Sequence, residues 1–212
     1  PDGTIRPLAK LTRAEVTTIF YRLLIDKKRD AIFTKTNNFT DVNEKDWYNK
    51  AVSSMTKGKY LSGYKDGRFL GDKVMTRAEF FALATRFLPS KSGQINFKDV
   101  PNNHWAKEAI TSALAYGLVK GQTEDSFRPE EPITRAEAVY AINRMLNRGV
   151  DALGLYPGYQ QWRDNPKDAW YYYDIIEAST SHTYTGIYPN ERWTGIGLER
   201  NYDVAKYEQS EK

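Results

Sequence analysis

The sequence contains no cysteine and only two histidines, His104 and His182, among its 212 residues. The lack of cysteine excludes disulfide bonds, thiolate metal sites and cysteine nucleophiles. The two histidines lie in different parts of the chain, outside any zinc signature. A serine–histidine–aspartate spacing and a phosphate-binding glycine loop are also missing. We therefore expect a non-catalytic protein with no metal and no other cofactor.

Long apolar runs and blocks of positive charge are missing as well. No run approaches the roughly 18 apolar residues of a membrane span, so we expect no membrane insertion. The net charge of +4 and the sequence pI of about 9.0 favour an anionic partner. The only short basic cluster is Lys27, Lys28 and Arg29, which does not resemble a nucleic-acid-binding tail. The chain opens at Pro1 inside a loop pattern, and we expect it to have been cut from a longer protein.

The tetrapeptide Thr-Arg-Ala-Glu occurs three times and is the main feature of the sequence. Apolar residues follow each copy with the i, i+3, i+4, i+7 spacing of one face of an amphipathic helix. Within the motif, Thr-x-x-Glu predicts a capping box, in which the two side chains satisfy N–H groups at the helix start. The predicted N-caps and their structural partners are Thr12 with Glu15, Thr76 with Glu79, and Thr134 with Glu137.

A second repeated element precedes the motif. It consists of an aromatic residue, an aspartate two positions later and a tryptophan that opens another helical pattern, followed by a turn rich in Gly and Asp. The tryptophans are Trp47, Trp105 and Trp170. An indole at such a position is by default a core anchor, and it can also line a groove where a sugar ring stacks. Both interpretations remain open.

The repeats are out of phase with the chain ends, because the chain starts with a capped helix and ends with a Trp helix. The simplest arrangement lets residues 162–182 complete the unit that residues 1–29 begin. The predicted fold is all-α, a pseudo-threefold array of helical units with short loops and little or no β structure. The predicted boundaries are 1–38 (a capped-helix half), 39–96 and 97–148 (complete units), 149–161 (a linker), and 162–212 (the terminal half unit, with an irregular tail fraying after about residue 203).

The motif arginines, Arg13, Arg77 and Arg135, lie in the first helical turn. A cation there faces the positive end of the helix dipole, which costs about 0.3–1 kcal/mol. One explanation is an ion pair with an acidic residue of a neighbouring unit. The other is an anion at the helix N-terminus, held by free N–H groups and the guanidinium.

These motifs resemble the S-layer homology family, and the third unit is the most similar, with Phe97-Lys-Asp-Val100, His104-Trp-Ala106 and Ile133-Thr-Arg-Ala-Glu137. The resemblance implies a three-pronged, all-helical pseudo-trimer with ligand grooves between units. It also implies attachment to a secondary cell-wall polymer of a Gram-positive bacterium, often through a pyruvylated amino sugar whose carboxylate meets the motif arginine. Asp46 replaces the family histidine before Trp47, so we expect the grooves to differ from one another.

We therefore predict an extracellular, non-catalytic module that fixes a larger surface protein to an anionic wall polysaccharide, as a monomeric pseudo-trimer. Two alternatives remain: a structural or self-assembly module, and part of a glycan-processing enzyme, for which Glu177 and Glu191 are the least ordinary carboxylates. The residues predicted to bind the glycan are Arg13, Arg77, Arg135, Trp47, Trp105, Trp170, Thr12, Thr76 and Thr134.

Overall fold

A computed structural model describes residues 2–119, 123 and 125–197. Within them the chain forms seven α-helices, one 3-10 turn and one antiparallel pair of strands. Gly121, which the sequence places in a turn, lies outside the described residues. The elements are α1 (Arg13–Leu23), α2 (Asp26–Ile32), α3 (Asn49–Lys57), α4 (Arg77–Ala84), the 3-10 turn (Thr85–Phe87), α5 (Lys107–Ala115), α6 (Arg135–Met145), α7 (Tyr172–Ser179), β1 (His182–Thr185) and β2 (Arg192–Ile196).

The predicted all-α, pseudo-threefold array is wrong, because the fold is mixed. Strands β1 and β2 pair in a hairpin, with His182 opposite Ile196 and Thr185 opposite Arg192. Their segments, His-Thr-Tyr-Thr and Arg-Trp-Thr-Gly-Ile, are rich in the β-branched and aromatic side chains that suit a pleated surface. Helix α2 also lies outside the repeated pattern. The fraying expected after residue 203 lies outside the described residues.

The chain divides into two compact units. The first, called here the repeat region, is Leu8–Ala138. The second, the terminal region, combines Pro1–Pro7 with Val139–Lys212. Described residues near both ends of the chain, 2–7 and 139–197, therefore belong to the same unit.

Three short extended segments form the centre of the repeat region, one before each of α1, α4 and α6. They hydrogen-bond in a closed ring: Leu11 N–H donates to the carbonyl of Ile133, Ile133 to Met75, and Met75 to Leu11, at 3.2, 3.0 and 2.9 Å. All three side chains are buried. Because these bonds join residues far apart in sequence, they place the starts of the three capped helices side by side.

Each of the first two capped helices packs on the Trp helix that follows it, α1 on α3 and α4 on α5. The apolar stripes of the helices supply the core, as their spacing indicates. Phe20 of α1 contacts Phe80 of α4, with ring centroids 5.8 Å apart. The core of the repeat region thus joins consecutive repeats.

The repeated aspartates fix the loops. Each carboxylate accepts hydrogen bonds from two consecutive backbone N–H groups at 2.7–3.0 Å, and the second residue of each pair has a φ of 53–59°. That left-handed conformation is unfavourable for a residue with a side chain, so the carboxylate stabilises a strained turn. The sets are Asp41 with Phe69 and Leu70, Asp99 with Phe127 and Arg128, and Asp164 with Ile5 and Arg6.

The last of these sets lies in the terminal region and ties the N-terminal segment to the segment around Asp164. Arg163 N–H also donates to the carbonyl of Gly3 at 3.1 Å. These bonds agree with the proposed pairing of the chain ends, which stays a proposal. The core of this region combines Val150, Tyr172, Ile176 and Trp193.

Candidate functional site

The motif threonines and glutamates close each capped helix at its start. Glu15 N–H donates to Thr12 Oγ1 at 3.2 Å, and Thr12 N–H donates to Glu15 Oε2 at 2.7 Å. The same two bonds recur at Thr76 with Glu79 and at Thr134 with Glu137. Such a cap typically contributes about 1 kcal/mol to stability. The six side chains therefore have a local structural role.

The first-turn N–H groups of α1 and α4 are also occupied. Arg13 and Ala14 donate to the carbonyls of Lys73 and Gly71, both at 2.9 Å. At α4, Arg77 and Ala78 donate in the same way to the carbonyls of residues 131 and 129. An anion bound at a helix N-terminus needs free N–H donors. At these two helices the donors are used by neighbouring segments.

Arg77 is buried and forms an ion pair with Glu137 of the next motif copy. Its Nε donates to the carbonyl of Phe127 at 3.0 Å, and its guanidinium lies 4.7 Å from the centre of that ring. Burial lowers the pKa of Arg77, and the neighbouring Glu137 and Glu131 carboxylates oppose that effect. The geometry is that of an ion pair between repeats.

Arg13 is held in the same way. Its Nε donates to the carbonyl of Phe69 at 2.9 Å, and its Nη1 lies 3.5 Å from Glu79 Oε1. The guanidinium also stacks on Tyr64, 4.7 Å from the ring centre. Only 6% of Arg13 is exposed.

Arg135 differs from its two counterparts. It is half-buried, and its Nε has no hydrogen-bond partner. Among the described residues it forms no ion pair. The three motif arginines are therefore not equivalent, although their sequence context is the same.

The three tryptophans are exposed, Trp47 by 62%, Trp105 by 63% and Trp170 by 42%. Each lies two positions before its helix, and the residue that follows it is buried instead: Tyr48, Ala106 and Tyr171. The core position that an indole takes by default is thus occupied by the residue that follows it. Trp47 and Trp105, the two most exposed, leave much of their indole surface accessible.

One groove in the repeat region brings two of the predicted residues together. It has a volume of about 170 Å³, and Arg13 and Trp105 both line it. Tyr64, Glu79 and Arg86 also contribute to its walls. The predicted residues Arg77, Trp47 and Thr76 do not line it.

Arg86 is a residue that the sequence interpretation missed. It is exposed, and its Nη1 donates to the carbonyl of Tyr60 at 2.8 Å. Within the described part of the chain no carboxylate pairs with it. Arg86 stands nine positions after Arg77, and the other two motif copies have an arginine at the same offset, Arg22 and Arg144. That second repeated arginine was the signal that could have identified it.

Among the described residues of the terminal region, three side chains lie close enough together to ligate a metal: Glu177, His182 and Glu191. Arg148 already lies among them, 2.6 Å from Glu177 Oε1 and 2.9 Å from Glu191 Oε2. The three side chains are at most 4% exposed. The Arg148 guanidinium thus pairs with both carboxylates, and their side chains are buried away from a polymeric substrate in solution.

Comparison with known proteins assigns the repeats. The S-layer homology domain matches residues 38–81 and 96–139. The chain therefore contains two S-layer homology domains. Over 192 residues it is 35% identical to a cellulosome-anchoring protein of Acetivibrio thermocellus, a match that covers 87% of this chain and 42% of that protein.

Two further relatives are surface proteins. Cell surface glycoprotein 1 of Acetivibrio thermocellus is 32% identical, with 87% of this chain and 8% of that protein covered. A surface layer protein of Brevibacillus choshinensis is 33% identical, with 51% of this chain and 10% of that protein covered. This chain therefore spans less than half the length of these relatives.

The family and its relatives identify a cell-wall anchoring module at the surface of a Gram-positive bacterium. Among the described residues, none of the helices has the length and apolarity that crossing a membrane requires.

Proposed function

We propose that the chain is a non-catalytic module that anchors a larger surface protein by binding an acidic, pyruvylated wall polysaccharide. The observation that carries the proposal is the groove of the repeat region, where an exposed indole and arginine side chains line the same small volume. The proposed ligand site comprises Arg13, Trp105 and the groove residues between them.

The chemistry of the groove suits an acidic sugar. The 63% exposed Trp105 offers an apolar face on which a sugar ring can stack. Arg13 and Arg86 supply positive charge beside the single carboxylate of Glu79.

The test uses wall polysaccharide purified from Acetivibrio thermocellus, with titration calorimetry of the unmodified chain and of Trp105→Ala. We expect the substitution to weaken binding on the order of tenfold, or about 1.4 kcal/mol, because the stacking face is lost. Removal of the ketal pyruvate from the polysaccharide by mild acid should weaken binding by the unmodified chain.

Phe33→Ala is the matched control, because Phe33 is also an exposed aromatic residue of the repeat region but does not line the groove. It should bind as the unmodified chain does. Full binding by Trp105→Ala, or full binding to the depyruvylated polysaccharide, would contradict the corresponding part of the proposal.

A structural or self-assembly role is the second candidate, and the buried pairs Arg13–Glu79 and Arg77–Glu137 favour it for the motif arginines. The two roles separate by experiment. If the chain only assembles, the Arg13/Arg77/Arg135→Ala triple variant loses stability or changes its mass in solution, and the unmodified chain does not bind the polysaccharide.

A further inference from the structure

The groove that Arg13 and Trp105 line contains two arginines in very different states. Arg13 is 6% exposed and engaged with the carbonyl of Phe69 and the carboxylate of Glu79. Arg86 is exposed and uses one N–H on the carbonyl of Tyr60. An arginine has five N–H donors, so most of those of Arg86 remain for a ligand.

We propose that Arg86 binds the anionic group of the ligand in this groove, and that Arg13 is a positioning residue that holds the groove walls together. This inference rests on the proposed function and deepens it. It assigns the ligand's carboxylate to an arginine outside the Thr-Arg-Ala-Glu motif.

Contacts with Tyr60 fix the position of Arg86. It lies in the 3-10 turn Thr85–Phe87 that continues α4. The ring of its neighbour Phe87 stacks on Tyr60, with centroids 4.7 Å apart and planes inclined by 6°. Tyr60 thus contacts the turn through its ring and holds Arg86 through its carbonyl. A guanidinium fixed in this way loses little freedom when it binds a carboxylate through two parallel hydrogen bonds.

Charge supports the same assignment. The Glu79 carboxylate lies 3.5 Å from Arg13 and accepts a hydrogen bond from the Tyr64 hydroxyl at 2.8 Å. A second carboxylate brought to Arg13 would therefore meet Glu79 at short range and be repelled. Among the described residues Arg86 has no such competitor.

Arg144 lies at the same offset from its motif as Arg86, but its guanidinium is already occupied by other side chains. In the terminal region its guanidinium pairs with Asp174 at 2.5 Å and lies 4.2 Å from the ring centres of both Tyr140 and Tyr188. The offset from the motif therefore does not make an anion site by itself. An open guanidinium on a groove wall is what distinguishes Arg86.

The test measures binding of Acetivibrio thermocellus wall polysaccharide, native and with its carboxyl groups reduced to alcohols, by the full chain and by three variants. Arg86→Gln should weaken binding of the native polymer at least tenfold. Arg86→Lys should recover part of the loss, because it keeps the charge but not the paired donors. Arg68→Gln is the control, because it removes an exposed arginine that does not line the groove, and it should change affinity less than twofold.

Carboxyl reduction of the polymer distinguishes an Arg86 that binds the ligand's carboxylate from an Arg86 that only stabilises the fold. The unmodified chain should lose affinity for the reduced polymer down to the level of Arg86→Gln, and Arg86→Gln should lose nothing further. The melting temperature of Arg86→Gln should equal that of the unmodified chain. Arg13→Gln should melt at a lower temperature, because Arg13 holds the groove walls together.

Two results would overturn the assignment. The first is native-like binding by Arg86→Gln while the unmodified chain binds. The second is that carboxyl reduction lowers the affinity of Arg86→Gln by the same factor as that of the unmodified chain. The ligand's carboxylate would then bind at a residue other than Arg86. Absence of binding by the unmodified chain would overturn the proposed function and this inference with it.

Discussion

The repeat region and the terminal region both pair arginines with carboxylates, but the pairs are built in different ways. In the repeat region Arg77 meets one carboxylate, Glu137, supplied by the next copy of the same motif. In the terminal region Arg148 meets two, Glu177 and Glu191, and a histidine joins them. The repeated pair joins one repeat to the next, whereas the unrepeated network joins a helix to a hairpin.

The difference has a consequence for titration. An arginine–glutamate pair keeps both charges throughout the neutral range. A network that contains a histidine changes its charge in that range. The stability of the terminal region should therefore depend on pH near neutrality, and that of the repeat pairs should not.

The largest expected effect is on the repeat pair. Arg77→Met should destabilise the chain by about 3–5 kcal/mol, because it removes the Arg77 cation from an ion pair in which only 13% of the Glu137 side chain is exposed. Urea unfolding followed by circular dichroism measures the change.

A double variant sharpens this prediction. Glutamine can replace glutamate in a capping box, so Glu137→Gln keeps the cap and removes the charge. Arg77→Met combined with Glu137→Gln should therefore recover part of the stability lost in Arg77→Met. A loss below about 1 kcal/mol for Arg77→Met alone would show that the pair does not join the repeats energetically.

A smaller effect is expected in the terminal region from Glu191→Gln. Glu191 is fully buried and accepts hydrogen bonds from Arg148 Nε at 2.9 Å and Gly149 N–H at 3.1 Å. Loss of its charge should cost about 2 kcal/mol, since hydrogen bonds to charged groups contribute about 1.5–3 kcal/mol. Glu177 still pairs with Arg148, which is why the loss should be smaller than for Arg77.

Amide hydrogen exchange locates this change, because it should be concentrated in the β1–β2 hairpin. Glu44→Gln, at an exposed position, is the control and should leave exchange unchanged. Protection of the hairpin amides that survives Glu191→Gln would mean that the ion network does not hold the hairpin.

The smallest effect is the pH dependence of His182. Burial alone would lower the pKa of His182, but the Glu177 carboxylate at 3.3 Å and the Thr180 carbonyl outweigh burial and the opposing Arg148. The folded pKa is therefore raised above 6.5, the ordinary value for histidine. The stabilising contribution is complete below pH 6.5 and is lost as the pH rises through the folded pKa.

Glu191 sets the acidic limit of the same window. Burial would raise its pKa, but Arg148 and the Gly149 N–H lower it below 4.5, so its contribution is lost only as the pH falls below that value. The ring of Tyr184 also faces His182, with centroids 6.1 Å apart. The terminal region should therefore be most stable between about pH 4.5 and 6.5.

Two measurements check this window. A histidine NMR titration resolves His182 against His104, the only other histidine. Melting temperatures from pH 5 to 8.5 should decline more steeply for the unmodified chain than for His182→Gln. Titration of His182 at or below 6.5, or parallel melting curves, would remove the proposed contrast between the regions.

The capped helices were the most predictable part of the fold. Thr12, Thr76 and Thr134 each precede a helix that starts at the next residue, because a capping box is a local interaction readable from four consecutive positions. The hairpin was not predicted, since its two strands are only four and five residues long and a register shift between Thr183 and Tyr184 breaks their alternation. A short strand of this kind is recognised only once it has a partner.

The candidate groove contains two of the residues that the sequence singled out, Arg13 and Trp105, and their role in binding a glycan stays a prediction. The sequence also drew attention to Arg77, which is buried and paired, and missed Arg86, whose repetition is plain only when the motif copies are aligned beyond the tetrapeptide. The arginines differ in how deeply they are buried. Burial depends on contacts between residues that are distant in sequence, so the sequence alone did not distinguish them.

By itself, the sequence determined the repeat, the helix starts and the absence of any disulfide, because each depends on residue identity and local spacing. Only the tertiary structure decided which glutamate each arginine meets, which tryptophan faces a groove, and which arginine stays open to a ligand. The ring of hydrogen bonds among Leu11, Met75 and Ile133 sets those neighbours, since it joins segments that are far apart in the chain. Identical motifs therefore acquire different roles, because each copy meets different neighbours.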